Sequence, residues 1–593
     1  MDDDSRYDPQ AGRALPARFS GGSARSGPVT VGQANMRRCV LRDDPAHLNA
    51  CLVLPVPDGV GLDALADAVR VLALRHESLR TLYPVDPELQ QVVLGEGGFT
   101  LRVHEADEAD GPPGDVARAV GERLRSVRFE PRTELPLRAA VVTAGGRPRH
   151  MVLVLCHIAV DAAGIDLLTA EWHAVLAGRA LPEPPAVQPV DLALTEHSEL
   201  GRRRLASSLR YWENQLRTTP QSMFAVPGVG PCDWMLGRLR VRSRSAARAL
   251  TVVAERTGTS RATLVLAAMC ALLAHRLGQR TVVVATPAAN RFLPELADYI
   301  GTVAQDGLVS VRTDDVATFD ELAARVRGRA LAALRHSWFD YDDLLPRIER
   351  AERDRGSHWA RDCVFNDLST LTLEGLLTSP PVPADGAGPS PRDRTAAAPD
   401  GDVRVDWFRP EPMLTRLMLW TVRLEEELEL ALWADPNLLP AAEAEAFGAG
   451  VARLLGAAAD GDVPLDRLEE LTGLAPVARG EGWYLVDSCW VDLASVQAMV
   501  EEVAGGPSLV AAVPDDVLGH RLECWTAGGH DPAALHTACL AALRHRRLDA
   551  MAPHRYTVVD RAPDDPADPA AWRTRTVLAE GTGRTATAAA VTS

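Results

Sequence analysis

Lysine is missing altogether: the 63 basic residues of this 593-residue chain are all arginine. That removes every mechanism requiring an internal lysine, including a P-loop lysine, an internal Schiff base and the lysine of an adenylating enzyme. The accompanying bias towards Ala, Arg, Pro and Gly is that of a GC-rich genome. Paired cysteines are missing too. The nine Cys lie singly, at 39, 51, 156, 232, 270, 363, 489, 524 and 539, with no CxxC and no His-rich spacing. This excludes a disulfide framework and a structural zinc site. Positive charge is scarce overall, with a formal net charge of −17, which speaks against nucleic acid as a partner. No apolar run approaches the length of a membrane span, and the N-terminus, MDDDSRYDPQ, is acidic where a secretory signal is basic and then apolar. The expectation is a cytoplasmic protein with no membrane partner.

What is present is an ordinary globular composition, 46% hydrophobic and 24% charged, in a chain too long for one core. Residues 1–32 are polar and rich in Gly, Ser, Arg and Pro, and are expected to be a flexible tail. The stretch Met151–Leu168 (MVLVLCHIAVDAAGIDLL) is organised differently. Met151–Leu155 is an unbroken apolar run, the pattern of a strand buried on both faces, and helical spacing restarts at Ile165. His157 and Asp161 therefore sit in a strand-to-helix connection, where a rigid scaffold commonly presents reactive groups. A single His there also fits a hydrogen-bonded structural imidazole.

The segment CHIAVDAAG resembles the HHxxxDG signature of nonribosomal peptide synthetase condensation domains, members of the chloramphenicol acetyltransferase-like superfamily. On that alignment Cys156 stands for the first His, His157 for the reactive His, Asp161 for the Asp and Ala162 for the Gly. Further segments are similar in the same order. LRHESLRTLY (Arg75, His76, Glu77, Leu79, Arg80, Thr81, Tyr83) is similar to RHExLRT, RFEPRTELPLRAAVV to the segment before the signature strand, and YWENQL to YWxxQL. PAANRFLPELADYIGTVAQDGLVSVR then resembles GTPxAGR and the IGxFVNTLPLR after it, placing Arg291 at the motif's Arg. DCVFNDLST is similar to VxFNxxN, with Asn366 at the polar position. The departures are Cys156, Ala162, Gln305-Asp306 at the family's Asn-Thr, and the bulky Trp338.

The resemblance covers about 33–460 and implies an α/β fold of two chloramphenicol acetyltransferase-like subdomains in a V, 33–195 and 196–462, with a mobile loop at 377–402. Residues 470–593 alternate helix and strand as a small α+β domain and resemble the C-terminal subdomain of adenylation enzymes, without its large ATP-binding partner or its lysine. Asp487-Ser488 invites a carrier-attachment reading, but GEGWYLV ahead of it reads as a strand where a carrier has a helix.

The function implied is a free-standing condensation enzyme that forms an amide, or an ester, between an acyl or aminoacyl thioester on a carrier protein and an amine or hydroxyl acceptor, in peptide natural-product biosynthesis. No cofactor is bound tightly; the phosphopantetheine arm of the carrier delivers the donor, and the acceptor is carrier-bound or a small molecule. His157 is the candidate general base or hydrogen-bond acceptor for the attacking amine. Asp161 and Arg291 are expected to form a structural ion pair. The backbone N–H after Asp161 is a candidate oxyanion donor; Ala162 supplies it with less backbone freedom than Gly, and Gly164 is expected to restore that freedom. Cys156 is expected to be a small buried residue. Two alternatives share the fold: a non-catalytic condensation-like recruitment module, and an acyl-CoA-dependent acyltransferase.

Overall fold

The computed structural model describes residues 12–230, 232–376, 402–543 and 548–584. The two lobes are each built on one sheet. In the N-terminal lobe five strands run in the order Arg13–Phe19, Gly97–Glu105, Leu137–Ala144, Arg147–Cys156 and Asn49–Pro55. The run Met151–Cys156 is buried on both faces because helices cover both. Leu62–Arg75 and Ala162–Leu176 pack on one side, around Leu65, Leu153, Leu168 and Trp172, and Pro113–Ser126 on the other, around Val116, Val120, Val152 and Val154. Strands sandwiched this way read as continuous rather than alternating apolar runs.

The C-terminal lobe carries a seven-stranded sheet in the order Gln305–Arg312, Thr281–Ala288, Cys363–Asp367, Leu417–Arg423, Leu428–Ala434, Met235–Ser243 and Arg404–Pro412. Helix Arg261–Leu277, apolar nearly all round, lies in its core and is buried along most of its length. Among the described residues no single helix is long and apolar enough to cross a membrane.

The expected tail is folded from Arg13 onward. Arg13–Phe19 is the edge strand of the N-terminal sheet, antiparallel to 97–103, and Arg25–Pro28 pairs with Gln90–Val93. The polar composition hides a period-2 pattern in which Ala17 and Phe19 point inward, Phe19 meeting Phe99 at 5.9 Å between ring centroids. Arg25 then bonds Glu77 at 2.7 Å and Asp191 at 2.7 Å, tying this segment to the RHExLRT run and to helix Pro189–Glu196. Residues 1–11, and all but the last residue of the 377–402 stretch expected to be a mobile loop, lie outside the described residues.

Past 470 the chain forms a separate small core around Val491, Met499, Leu522, Cys539 and Tyr556. A hairpin of Trp483–Val486 and Cys489–Asp492 leads into helix Leu493–Ala504. A four-stranded sheet of Ser508–Asp515, Gly519–Ala527, Arg555–Val559 and Val577–Gly581 follows, with helix Pro532–Leu543 inserted. Asp487 and Ser488 are the two hairpin-turn residues, with φ of 47° and 68°, the left-handed pair of a tight two-residue turn. This geometry supplies no helix ahead of Ser488.

Candidate active site

Strand Arg147–Cys156 delivers His157 into a turn whose Ala159 N–H bonds the Cys156 carbonyl at 3.0 Å. Helix Ala162–Leu176 starts at once, capped by Asp161, whose Oδ1 accepts the Gly164 N–H at 3.0 Å. An Asp at this position satisfies one of the helix's free N–H groups. The Ala162 and Ala163 N–H groups belong to the same first turn and have no partner within the helix. That is where a developing oxyanion would find fixed donors.

Asp161 does more than cap. Its carboxylate is 1% exposed and takes both ends of the Arg291 guanidinium, at 2.7 and 2.9 Å, together with the Val303 and Ala304 N–H groups at 3.1 Å each. Five hydrogen bonds converge on one buried carboxylate, four of them from the C-terminal lobe. Arg291 also reaches the Tyr299 and Gly301 carbonyls at 3.2 and 3.3 Å. The carboxylate is fully bonded while Arg291 Nε stays enclosed without a partner, and the pair sets the relative register of the two lobes.

Gly164 is in the first helical turn, and its place in the site differs from the expected one. A Cβ there would sit 2.9 Å from Val160 Cγ2, 3.4 Å from Asp161 Oδ1 and 3.6 Å from Arg291 Nη2. The missing side chain makes room for the ion pair; it does not loosen the backbone. Cys156 is 1% exposed, and burial pushes its thiol up to about 12, so it is neither ionised nor accessible as a nucleophile. His157 is half-buried. Its Nδ1 is enclosed and has no hydrogen-bond partner, and its carbonyl accepts the Thr302 hydroxyl from the opposite lobe. Asn366 lies on strand Cys363–Asp367 opposite Trp420, on the sheet face of Val364, and its side chain makes no hydrogen bond with any described residue. Its neighbour Asp367 carries the polar contacts there, accepting from Ser369 Oγ at 2.6 Å and from the Thr421 hydroxyl. The structure thus brings Asp161, Gly164 and Arg291 into one unit, holds His157 beside it through Thr302, and leaves Asn366 outside that unit.

The departures from the family pattern have partners. Gln305 bonds both backbone groups of Phe339, at 3.0 and 3.2 Å, and Asp306 pairs with Arg361. Trp338 gives its indole N–H to Glu196 Oε1 at 2.7 Å, while Glu196 Oε2 accepts the Val31 N–H at 2.9 Å. Burial pushes Glu196 up to about 7 against the pull of those two bonds. The RHExLRT run is structural: His76 and Arg75 hold Glu171 of the signature helix at 2.5 and 2.8 Å. Sequence reasoning missed Thr302 and Glu196. Thr302 lies within the recognised IGTVAQ segment at a position the motif leaves free, and nothing in the sequence marks Glu196.

The condensation-domain family model matches residues 38–366. The chain belongs to the condensation-domain family. Among curated relatives, the condensation region is 29% identical over 317 residues to the isonitrile lipopeptide synthase of Mycobacterium tuberculosis, covering 51% of this chain and 12% of that protein. It is 29% identical over 353 residues to the phosphinothricin tripeptide synthetase PhsC of Streptomyces viridochromogenes, covering 55% and 31%. The chain thus spans less than a third of either relative's length. Among solved structures, the X-domain from teicoplanin biosynthesis superposes with a TM-score of 0.56 at 20% identity, covering 74% of this chain and 96% of that one. The condensation domain of the monacolin K polyketide synthase MokA gives 0.57 at 18%, covering 74% and 99%. At these identities the structural likeness establishes the fold: α/β, in two lobes.

Proposed function

We propose that this condensation domain transfers an acyl or aminoacyl group from the thioester of a carrier protein to an amine, or less often a hydroxyl, in the assembly of a peptide natural product. The observation that carries this reading is His157 at the mouth of a buried strand, braced across the lobes by Thr302 and the Asp161–Arg291 pair. The acceptor nitrogen attacks the thioester carbonyl. His157 takes the nitrogen's proton or holds it by a hydrogen bond, the first-turn N–H groups of the signature helix receive the negative oxygen, and collapse forms the C–N bond as the C–S bond breaks. The carrier's thiol leaves with a proton. Alignment of the two substrates supplies much of the acceleration, because it makes a bimolecular step effectively unimolecular. The donor arrives on a carrier protein, the acceptor comes on a carrier or as a small molecule, and the reaction calls for no tightly bound cofactor.

A second reading draws support from a related structure: an X-domain from teicoplanin biosynthesis, which shares this fold at a TM-score of 0.54, is known in complex with OxyB. Under it the chain recruits a partner protein and makes no bond. Incubating the intact chain with a carrier-bound aminoacyl thioester and a panel of amine acceptors, with intact mass as the readout, separates the two. Chain-dependent loss of the acyl group from the carrier with matching amide formation supports catalysis; tight carrier or partner binding without turnover supports recruitment.

We read the domain past 470 as an adenylation-type C-terminal subdomain retained for its surface. With no lysine in the chain, acid-dependent exchange of pyrophosphate into ATP is not expected of it. Its place against the segment that enters strand Cys363–Asp367 favours a role in presenting the carrier or in buttressing that segment.

A further inference from the structure

The C-terminal domain and the condensation fold do not close completely on each other. Between them lies a cavity of about 100 Å³, walled on one side by Ser222, Ser357, Asp362 and Arg416 and on the other by Cys489, Ala550 and Met551. None of the residues gathered around Asp161 and His157 lines it. Asp362 stands at the start of strand Cys363–Asp367, and its backbone carbonyl holds the Arg416 and Leu417 N–H groups at 3.1 and 2.9 Å. Its side chain is left over. The residue is 9% exposed, and Oδ2 is enclosed with no hydrogen-bond partner. The hydroxyls of Ser357, 5% exposed, and of half-buried Ser222 are enclosed and unpartnered too. Beyond Ala360 and Asp362, which also wall a second and smaller space, Gln221 Oε1 is in the same condition.

Buried polar atoms are nearly always paired, so several unpaired ones around one space call for an occupant. Their chemistry narrows what it is. A carboxylate oxygen accepts only, and two hydroxyls accept as readily as they donate. The complement is a group made of donors. Charge points the same way. Among the described residues the arginines nearby are already engaged, Arg416 with fully buried Asp435 at 2.6 Å and Arg361 with Asp306. Asp362 is therefore a buried carboxylate with no ion pair of its own among the described residues, and burial holds it up at about 6 against the pull of the already paired Arg416. It is mostly ionised at neutral pH.

We propose that this cavity is a binding site for a small primary amine, its ammonium group on Asp362 and the two serine hydroxyls. An ammonium carries three donors and no acceptor, and a short aliphatic chain suits the opposite wall of Ala550, Met551 and Leu543. Because both domains contribute to the wall, the bound amine fastens the C-terminal domain to the condensation fold. The site and its test are independent of whether His157 catalyses acyl transfer.

The test uses the intact chain at pH 7.5 with n-butylamine as probe, n-butanol as its uncharged isostere and tetramethylammonium as a cation without N–H donors. Thermal melting and titration calorimetry supply the readouts. The expected result is a saturable rise in melting temperature with butylamine alone, with affinity weakened at least about tenfold in Asp362→Asn and lost in Ala550→Leu, which fills the cavity from the opposite domain. Should Asp362→Asn fail to fold, Ala550→Leu decides. No saturable response in the wild type, an equal response to all three probes, or a response unchanged by Ala550→Leu would overturn the proposal and leave the cavity to ordered water only.

Discussion

Two arginines of the C-terminal lobe each grip an aspartate from another part of the chain, and the two junctions differ in what else the aspartate is doing. Arg291 holds Asp161 of the signature turn, which is 1% exposed and also takes three backbone N–H groups. Arg355 holds Asp487 in the hairpin turn of the C-terminal domain, at 2.7 Å, and binds the Asp487 and Leu216 carbonyls at 2.8 and 2.9 Å. Asp487 remains half-buried. The first junction is thus a closed unit in which every lone pair is used and no water is at hand to substitute. The second is an edge contact that water can partly replace. The lobes are joined to set a geometry, and the C-terminal domain is joined so as to be seated.

Asp161→Ala should sharpen the contrast most. It strands Arg291 and two lobe-crossing N–H groups, and a buried pair broken on one side typically costs about 3–5 kcal/mol. Chemical denaturation should show that loss or leave the variant insoluble, whereas wild-type stability would place the lobes' register elsewhere.

Glu196 gives the lobe junction a pH signature. Its folded pKa, about 7, lies above its ordinary 4.5, so the folded state binds the proton more tightly. The resulting stabilisation is full below pH 4.5 and is lost as pH rises through 7. The shift corresponds to about 3 kcal/mol. The stability difference between wild type and Glu196→Gln, measured by denaturation at pH 4.5 and 8, should move against the wild type by up to that amount at the higher pH; a flat difference would remove Glu196 from the account.

Arg355→Ala should cost less, about 2 kcal/mol, because Asp487 can be rehydrated. Its effect should be confined to the C-terminal domain and read out as faster proteolysis beyond 470, with the condensation lobes still resistant. Thr302→Val should have the smallest effect on stability, about 1 kcal/mol for one hydroxyl bond. It should also lower kcat more than it changes KM, with Thr302→Ser restoring it; equal loss in both parameters would make Thr302 a packing residue.

The parts legible in the sequence were those whose pattern is local. The apolar run Met151–Leu155, the helical restart at Ile165 and the all-apolar helix Arg261–Leu277 follow from periodicity and appear as expected. The pairing of Asp161 with Arg291, 130 positions apart, was legible only through family resemblance, since no local pattern links them. The strand Arg13–Phe19 was hidden because arginine and proline mask a short alternation whose partner lies some 85 residues on. Gly164 was misread because its close approach to Val160 and Arg291 is a tertiary fact. Glu196, Thr302 and the cavity at Asp362 depend on side chains from distant segments, and no spacing in the chain announces them.

The measurement closest to the central claim is turnover of His157→Ala beside its thermal melt, with a carrier-bound thioester and an amine acceptor. His157 stands in a turn, its backbone contact with Thr302 survives the substitution, and its ring has no partner at Nδ1. The account expects the melt to stay within about 1 kcal/mol of wild type while amide formation falls by at least about a hundredfold. A variant that melts normally and still forms amide at the wild-type rate would contradict it.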